Sequence, residues 1–247
     1  MNSILITGCN RGLGLGIVKT LVKLPQPPQH IFATCRDLDK ATELKDLAAN
    51  HSSIHILEID LLNFNNYGNI IKRVGDVVKG DGLNVLFNNA GFAPKSTRIT
   101  TVKLDELVQT LHTNTIAPIM LSKVCLPLLK RASIANKNIG MGVRRAAIIN
   151  MSSILGSIEA NTDGAIYAYR TSKAALNAAT KSMSIDLLKD GILCVSLHPG
   201  WVRTNLGGSS APLDVRTSSR SIIEILFQFN EKNNGGFYQY DGQKLPW

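Results

Sequence analysis

The sequence has few of the features that cross-link a chain or place it in a membrane. Its four cysteines, Cys9, Cys35, Cys125 and Cys194, form no CxxC pair, so we expect neither a disulfide framework nor a metal site. No run approaches the ~18–20 consecutive apolar residues of a membrane-spanning helix. The N-terminus lacks the charged and apolar regions of a signal peptide. These absences predict a cytoplasmic protein with reduced cysteines and no membrane partner.

Length and composition predict one folded domain. Apolar residues make up 44% and charged residues 18% of 247 residues, which excludes a disordered chain. That length is long for one domain and short for two. No internal repeat, low-complexity segment or linker divides the chain, so we expect a single domain over residues 1–247.

The net charge is strongly positive. Lysine and arginine number 27 against 18 aspartates and glutamates, giving a formal charge of +9. Such an excess suits an anionic partner, for example a phosphate-bearing cofactor. The basic residues are scattered, and the densest groups, Lys130-Arg131 and Arg144-Arg145, have no aromatic residues among them. We therefore expect a basic surface around a cofactor site, and no nucleic-acid partner.

Short apolar runs alternate with segments of helical periodicity along the whole chain. Strands are predicted at 3–7, 30–35, 53–59, 83–87, 146–151, 193–197 and 237–240. Helices are predicted at 14–24, from a cap at Asp37 or Asp39 to 49, at 64–79, at 105–132 with interruptions near Pro118 and Pro127, at 167–188 and at 218–229. This alternation predicts a single doubly wound, Rossmann-like α/β domain with a mainly parallel seven-stranded sheet and helices on both faces. Ligands bind such sheets beyond the carboxyl ends of the strands.

A glycine-rich turn joins the first strand to the first helix. Gly8, Gly12 and Gly14 leave room for a pyrophosphate to approach backbone N–H groups at a helix terminus. Glycine-rich turns occur in many folds, but this position between strand and helix favours dinucleotide binding.

The end of the second strand indicates which dinucleotide is bound. A site that prefers NAD places an acidic residue there to bind the ribose 2′-hydroxyl, whereas this sequence has Cys35 followed by Arg36. Arg11 adds a second guanidinium, and two such groups suit the 2′-phosphate of NADPH or NADP. Asp37 is the competing signal, because a small shift in register would place it on the 2′-hydroxyl.

A tyrosine and a lysine four residues apart occupy one face of a predicted helix. Tyr169 has Lys173 at this spacing, whereas Tyr167 has Thr171. A phenol with its ordinary pKa near ~10 transfers protons poorly at neutral pH. We expect the ammonium of Lys173 to lower the pKa of Tyr169.

Polar residues follow two other predicted strands. Ser152-Ser153 closes the fifth strand, where a hydroxyl could bind a substrate carbonyl and the developing oxyanion. The fourth strand ends in Asn88-Asn89-Ala90-Gly91, and Asn114 lies in the helical region that follows. Taken singly, a serine pair can merely close a strand, and an asparagine can merely cap a helix or form a turn.

In combination, these motifs resemble the short-chain dehydrogenase/reductase family. Thr7-Gly8-x-x-x-Gly12-x-Gly14, Asn88–Gly91, Asn114, Ser153, Tyr169-x-x-x-Lys173 and Pro199-Gly200 occur in the order of that family. The segment 151–157 and the ending Leu245-Pro246-Trp247 are similar to the Sniffer-type carbonyl reductases. The resemblance implies Tyr169 as general acid, Lys173 as pKa modifier and ribose clamp, Ser153 as the carbonyl-binding hydroxyl, and Asn114 as the anchor of a relay water.

The resemblance also implies a cofactor site and a substrate class. The implied cofactor-binding residues are Gly8, Asn10, Arg11, Gly12, Leu13, Gly14, Arg36, Asp60, Leu61, Asn89, Ala90, Gly91, Tyr169, Lys173, Pro199, Gly200, Val202 and Thr204. The implied reaction is NADPH-dependent reduction of a small-molecule carbonyl compound. The candidate walls of the substrate pocket are Phe92, Ile154, Leu155, Ile158 and Trp201.

Several alternatives stay open at this point. The spacing between Ser153 and Tyr169 is longer than is common in the family, which leaves Ser152 as a second candidate and suggests an enlarged loop at the substrate mouth. Residues 200–217 are a candidate substrate lid, and a homodimer is one option for assembly. The alternative functions are a non-catalytic NADP(H)-binding regulatory protein and an NAD-dependent alcohol dehydrogenase.

Overall fold

Strands and helices alternate along the chain in a computed structural model that describes residues 1–95 and 98–247. The strands are β1 (Ser3–Ile6), β2 (His30–Cys35), β3 (Ile54–Glu58), β4 (Val85–Asn88), β5 (Ala147–Met151), β6 (Leu193–His198) and β7 (Phe237–Gln239). The α-helices are α1 (Gly12–Leu21), α2 (Thr42–Asn50), α3 (Tyr67–Val78), α4 (Leu104–Leu111), α5 (Ala117–Ala135), α6 (Tyr167–Asp186) and α7 (Val215–Leu226). A π-helix, His112–Ile116, joins α4 to α5.

All seven strands form one parallel sheet in the order β3-β2-β1-β4-β5-β6-β7. The chain builds outward from β1 to β3 and then returns to place β4 on the other side of β1. The two halves diverge at this switch point, which leaves a crevice beyond the carboxyl ends of β1 and β4. The doubly wound fold predicted from the sequence is confirmed.

Two layers of helices cover the sheet. Ile4 and Ile6 of β1 belong to an apolar cluster with residues of α1, α2 and α7 on one face. Leu5 points to the opposite face and joins a cluster with residues of α3 and α5. A sheet buried on both faces requires continuous apolar strands, which explains why the strand sequences lack an alternation of polar and apolar residues.

The long helical stretch is interrupted near one of the two prolines that the sequence singles out. The π-helix His112–Ile116 ends two residues before Pro118, and the N–H of Ala117 reaches back to the carbonyl of His112. Pro118 has no N–H to continue the α-helical hydrogen bonds across this point. The break expected near Pro118 is therefore present, whereas α5 continues through Pro127.

The start of α2 also differs from the prediction. Its helix begins at Thr42, and neither Asp37 nor Asp39 caps it. Instead, Oδ1 of Asp37 accepts hydrogen bonds from the backbone N–H groups of Asp39 (3.0 Å) and Lys40 (3.3 Å). Aspartate commonly stabilises turns in this way, so the same side chain that suggests a cap can hold a turn before the helix.

All four cysteines are buried, and none of them takes part in a disulfide bond. Throughout the described part of the chain, no helix combines the length and apolar character needed to cross a membrane.

Gly14 lies where the glycine turn enters α1, and it has no room for a side chain. A Cβ atom there would lie 2.2 Å from the carbonyl oxygen of Gly8. We predict that Gly14→Ala lowers the free energy of unfolding by about 1–3 kcal/mol, since the backbone must move to relieve the overlap. Urea denaturation followed by circular dichroism measures the change.

Gly68, in α3, provides the matched control because a Cβ atom there meets nothing within 4 Å. Gly68→Ala should cause no loss of stability and a gain of up to about 1 kcal/mol, owing to its better helix propensity. Equal effects at the two positions would contradict the packing argument.

Candidate active site

A cleft of about 1250 Å³ opens at the carboxyl edge of the sheet, above the switch point. It brings together all the residues that the sequence predicts for cofactor binding, together with Ser153. Asn114 lies behind its wall, with its side chain buried. Of the predicted substrate-pocket residues, Phe92, Ile154, Leu155 and Trp201 line the cleft, whereas Ile158 is 79% exposed farther along its loop.

The glycine turn forms one wall of this cleft. Gly8 and Gly12 have φ angles of +72° and +58°, in the left-handed region that favours glycine. No side chain caps α1, whose first residues, Gly12, Leu13 and Gly14, line the cleft. The free N–H groups of this first turn and the positive end of the helix dipole make a site that fits a pyrophosphate.

Hydrogen bonds of Thr7 and Asn89 attach the glycine turn to the end of β4. Oγ1 of Thr7 accepts hydrogen bonds from the backbone N–H groups of Asn89 (3.0 Å) and Ala90 (2.9 Å). Nδ2 of Asn89 donates back to the carbonyl of Thr7 at 2.8 Å. Thr7 belongs to the glycine motif, but its hydrogen bonds to the residues after β4 were not predicted. They depend on the pairing of β1 with β4, which the motif alone does not show.

The far end of the cleft carries two cationic side chains. Arg11 and Arg36 both line the cleft and are exposed. Asp37, the competing signal for NAD, binds Nζ of Lys40 at 2.7 Å, and this bond holds the pKa of its carboxyl below the usual range. The guanidinium groups of Arg11 and Arg36 therefore fit a 2′-phosphate, whereas the carboxylate of Asp37 is bonded within the turn that precedes α2.

Tyr169, in the first turn of α6, contributes its side chain to the opposite wall. It is 9% exposed and lines the cleft, and the side chain of Ser153 lies beside its hydroxyl and favours the ionised form. Tyr167 is 37% exposed. The geometry thus agrees with the choice of Tyr169 over Tyr167.

The two serines after β5 have different partners. The hydroxyl of Ser152 donates to Oδ1 of Asn177 at 2.7 Å, inside the protein. Ser153, in contrast, lines the cleft beside Tyr169 and accepts a hydrogen bond from the backbone N–H of Leu155 at 3.2 Å. Ser153 is therefore the serine placed beside the phenol, and Asn177 was not predicted as a residue that separates the two.

Lys173 lies one helical turn beyond Tyr169, lines the same cleft and is 2% exposed. Its Nζ donates to the carbonyl of Met151 at 2.7 Å and lies 5.7 Å from the centre of the Tyr169 ring. Burial lowers the pKa of Lys173 to about 7, because the charged form loses its hydration.

The pKa of Tyr169 departs from the sequence-based expectation. Burial raises it to about 12, and the neighbouring side chain of Ser153 opposes this only in part. The expected lowering by Lys173 was wrong because burial of the phenol dominates, and because Lys173, with its own pKa lowered to about 7 by burial, is only partly charged at neutral pH. At neutral pH the phenol is therefore held in its protonated form.

The π-helix places Asn114 against α6. Its Oδ1 accepts from the backbone N–H of Phe92 (2.8 Å), and its Nδ2 donates to the carbonyl of Phe92 (2.8 Å) and to Oγ of Ser172 (3.0 Å). The amide thus connects the loop after β4 with the helix that carries Tyr169. Ser172, inside the Tyr-Lys motif, was not predicted as its partner.

Residues 200–217, the candidate lid, are connected to one another by internal bonds. Nε1 of Trp201 donates to the carbonyl of Gly207 at 2.7 Å, and Nη1 of Arg203 donates to the carbonyls of Ala211 and Pro212 at 2.9 Å each. Trp201 and Leu206 remain about half exposed at the edge of the cleft. That residues 200–217 move as a lid over the substrate stays a prediction.

This sheet, its glycine turn and the Ser153-Tyr169-Lys173 group define an oxidoreductase with a Rossmann-like fold. The chain belongs to the short chain dehydrogenase family, whose family model matches residues 2–212.

Solved structures and curated proteins show similarity over most of the chain. The carbonyl reductase Sniffer of D. melanogaster is 66% identical, with a TM-score of 0.99 and 100% coverage of both chains. An NADPH-bound carbonyl reductase from chicken fatty liver is 39% identical, with a TM-score of 0.95 and coverage of 100% and 99%. The C-signal protein of Myxococcus xanthus is 38% identical over 165 residues, which is 67% of this chain and 93% of the relative.

The buried Lys173 predicts a pH dependence of stability. Between the ordinary lysine pKa of 10.5 and the lowered value of about 7, the unfolded chain binds a proton that the folded chain does not. Lowering the pH through this range therefore favours unfolding, by an amount on the order of a few kcal/mol. Lys173→Met removes this contribution.

Urea denaturation across this pH range tests the prediction. Wild type should lose stability relative to Lys173→Met as the pH falls from about 10.5 to about 7, and the difference should then stay constant. Parallel pH profiles for the two proteins would show that Lys173 titrates normally.

Proposed function

We propose that this protein is a carbonyl reductase that uses NADPH to reduce aldehydes, ketones or quinones to alcohols. The observation that carries the proposal is that Ser153, Tyr169 and Lys173 meet on one wall of the cleft, with the Ser153 side chain beside the phenol. A proton donor and a second hydroxyl at one point suit an oxygen atom that gains negative charge during reduction.

The cofactor, when bound, supplies the hydride, and the chain supplies binding, orientation and the proton. In this proposal the hydroxyls of Ser153 and Tyr169 both bind the carbonyl oxygen. The pKa of about 12 keeps Tyr169 protonated at neutral pH, so the donor form is always present. An alkoxide is more basic than a phenolate, and Tyr169 therefore gives up its proton as the oxyanion forms.

Lys173 and Asn114 complete the proposed site from behind. A pKa of about 7 lets Lys173 exchange protons at neutral pH, which suits a group that restores the proton of Tyr169. The side chain of Asn114 is engaged with Phe92 and Ser172, so we assign it the task of holding the wall. Its predicted role as the anchor of a relay water, and that of Lys173 as ribose clamp, stay predictions.

The cofactor preference rests on charge. Arg11 and Arg36 can bind a 2′-phosphate through charge-assisted hydrogen bonds, while the carboxylate of Asp37 is paired with Lys40. The similar reductase from chicken fatty liver is NADPH-bound. We further propose a cytoplasmic location, with which four buried, free cysteines agree.

Replacing the proton donor tests the reaction. Tyr169→Phe should lower turnover by about 10²–10⁴-fold, since general acid catalysis contributes this much, and should leave NADPH affinity unchanged. The measurement is NADPH oxidation with 4-nitrobenzaldehyde, acetophenone and menadione, together with NADPH binding by fluorescence titration.

Tyr167→Phe is the matched control, because it removes the hydroxyl of an exposed neighbour two residues away. It should keep full turnover. Normal activity in Tyr169→Phe would overturn the assignment. A wild-type protein that binds NADPH but reduces none of these compounds would favour the non-catalytic alternative.

The cofactor preference has its own test. Combined Arg11→Ala and Arg36→Ala substitutions should weaken NADPH binding on the order of 100-fold, with NADH binding unchanged. Lys72→Ala is the control, because this exposed cation of α3 lies outside the cleft, and it should leave both affinities unchanged. An unchanged ratio of NADPH to NADH affinity in the double variant would contradict the assignment and support NAD.

A further inference from the structure

The loop between β5 and α6 borders the cleft only at its two ends. We define the active-site loop as residues 155–166. Leu155 at its start and Asp163 and Ile166 at its end line the cleft, while Ile158 in its middle is turned to solvent. The positions of the two ends therefore determine the shape of the cleft wall beside Tyr169.

Arg170 joins these two ends. It follows Tyr169 on α6, and its Nε donates to the carbonyl of Gly164 at 2.9 Å. Its Nη1 donates to the carbonyl of Leu155 at 3.4 Å. The rigid, planar guanidinium therefore spans the start and the end of the active-site loop. We propose that Arg170 is a positioning residue, which fixes the substrate wall of the cleft by holding both ends of this loop together.

The backbone at the second end needs such support. Gly164, Ala165 and Ile166 have successive φ angles of +64°, +56° and +51°. The left-handed region is unfavourable for alanine and still more for a β-branched isoleucine. Strained backbone persists only where surrounding contacts determine it. Two hydrogen bonds from Arg170 supply these contacts. Its side chain donates to the carbonyl of Gly164, and its backbone N–H donates to the carbonyl of Ile166 at 2.9 Å.

The middle of the loop is held by a separate element. The backbone carbonyl of Trp247 accepts hydrogen bonds from the N–H of Glu159 (2.9 Å) and from Oγ of Ser157 (3.0 Å). The Trp247 ring stacks on Phe237 of β7 at 5.7 Å. This anchor does not involve Arg170, so removing the arginine side chain releases the ends of the loop and leaves its middle attached.

The effect of Arg170 should fall on the carbonyl substrate and spare the cofactor. The predicted phosphate-binding groups lie on the glycine turn and at the end of β2, away from this loop. This inference rests on the proposed function, because it assigns the loop to the substrate of that reaction. Arg170 does not itself line the cleft, so it acts through Leu155 and Ile166.

Arg170→Met tests the inference, and Arg73→Met, at an exposed arginine of α3, is the matched control. With 4-nitrobenzaldehyde, kcat/KM should fall about tenfold through a higher KM, as expected for a misplaced substrate wall. NADPH affinity should not change. Arg170→Lys should give an intermediate KM, because a compact ammonium lacks the span of the guanidinium between the two carbonyls. If Arg170→Met fails to fold, the same measurements are made on Arg170→Lys.

Limited proteolysis provides a readout that needs no catalysis. Endoproteinase Asp-N should cut before Asp163, an exposed residue at the end of the loop that Arg170 holds, faster in Arg170→Met than in wild type or Arg73→Met, because this end of the loop opens more easily. Mass spectrometry identifies the cut. Equal cleavage rates, or an unchanged KM, would overturn the inference. If wild type reduces no carbonyl compound, the proposed function fails, and cleavage alone then decides whether Arg170 holds the loop.

Discussion

The hydrogen bond from Nζ of Lys173 to the carbonyl of Met151 joins helix α6 to the carboxyl end of β5. It fixes the distance between the element that carries Tyr169 and the strand that leads into Ser153. Because the lysine is almost completely buried, its charge is costly and its pKa falls to about 7, while burial also raises the pKa of Tyr169 to about 12. The contact thus fixes the geometry of the candidate site, and the burial around it sets the protonation of both groups.

A buried polar chain extends this connection into the sheet. Asn88 of β4 donates to Oδ1 of Asn150 on β5 at 2.8 Å, and Asn150 donates to Oγ1 of Thr180 on α6 at 2.8 Å. Polar groups inside a protein are costly unless they are bonded, and fully bonded ones fix a single arrangement. This chain therefore holds β4, β5 and α6 in one register beneath the cleft, while the glycine turn and the arginines complete the cofactor side.

The sequence predicts the fold and predicts which residues meet at the cleft, because both follow from local patterns. Alternating apolar segments define the sheet, and the glycine turn and the Tyr169–Lys173 spacing define what lies at its edge. Three features depend on contacts between distant segments and escape such patterns. Pro118 signals a break in the helix but not the π-helix that brings Asn114 to α6, Asn177 separates Ser152 from Ser153, and burial reverses the expected pKa shift of Tyr169.

In the proposed reaction a hydride passes from the nicotinamide to a carbonyl carbon while the chain supplies a proton to the oxygen. Reduction of 4-nitrobenzaldehyde with NADPH deuterated at the transferred position distinguishes this transfer from addition of hydrogen from solvent. Mass spectrometry of the alcohol should find one deuterium on its carbon, and none there when ordinary NADPH is used in deuterated water. An alcohol whose carbon takes its new hydrogen from solvent, or the absence of any alcohol, would contradict the account.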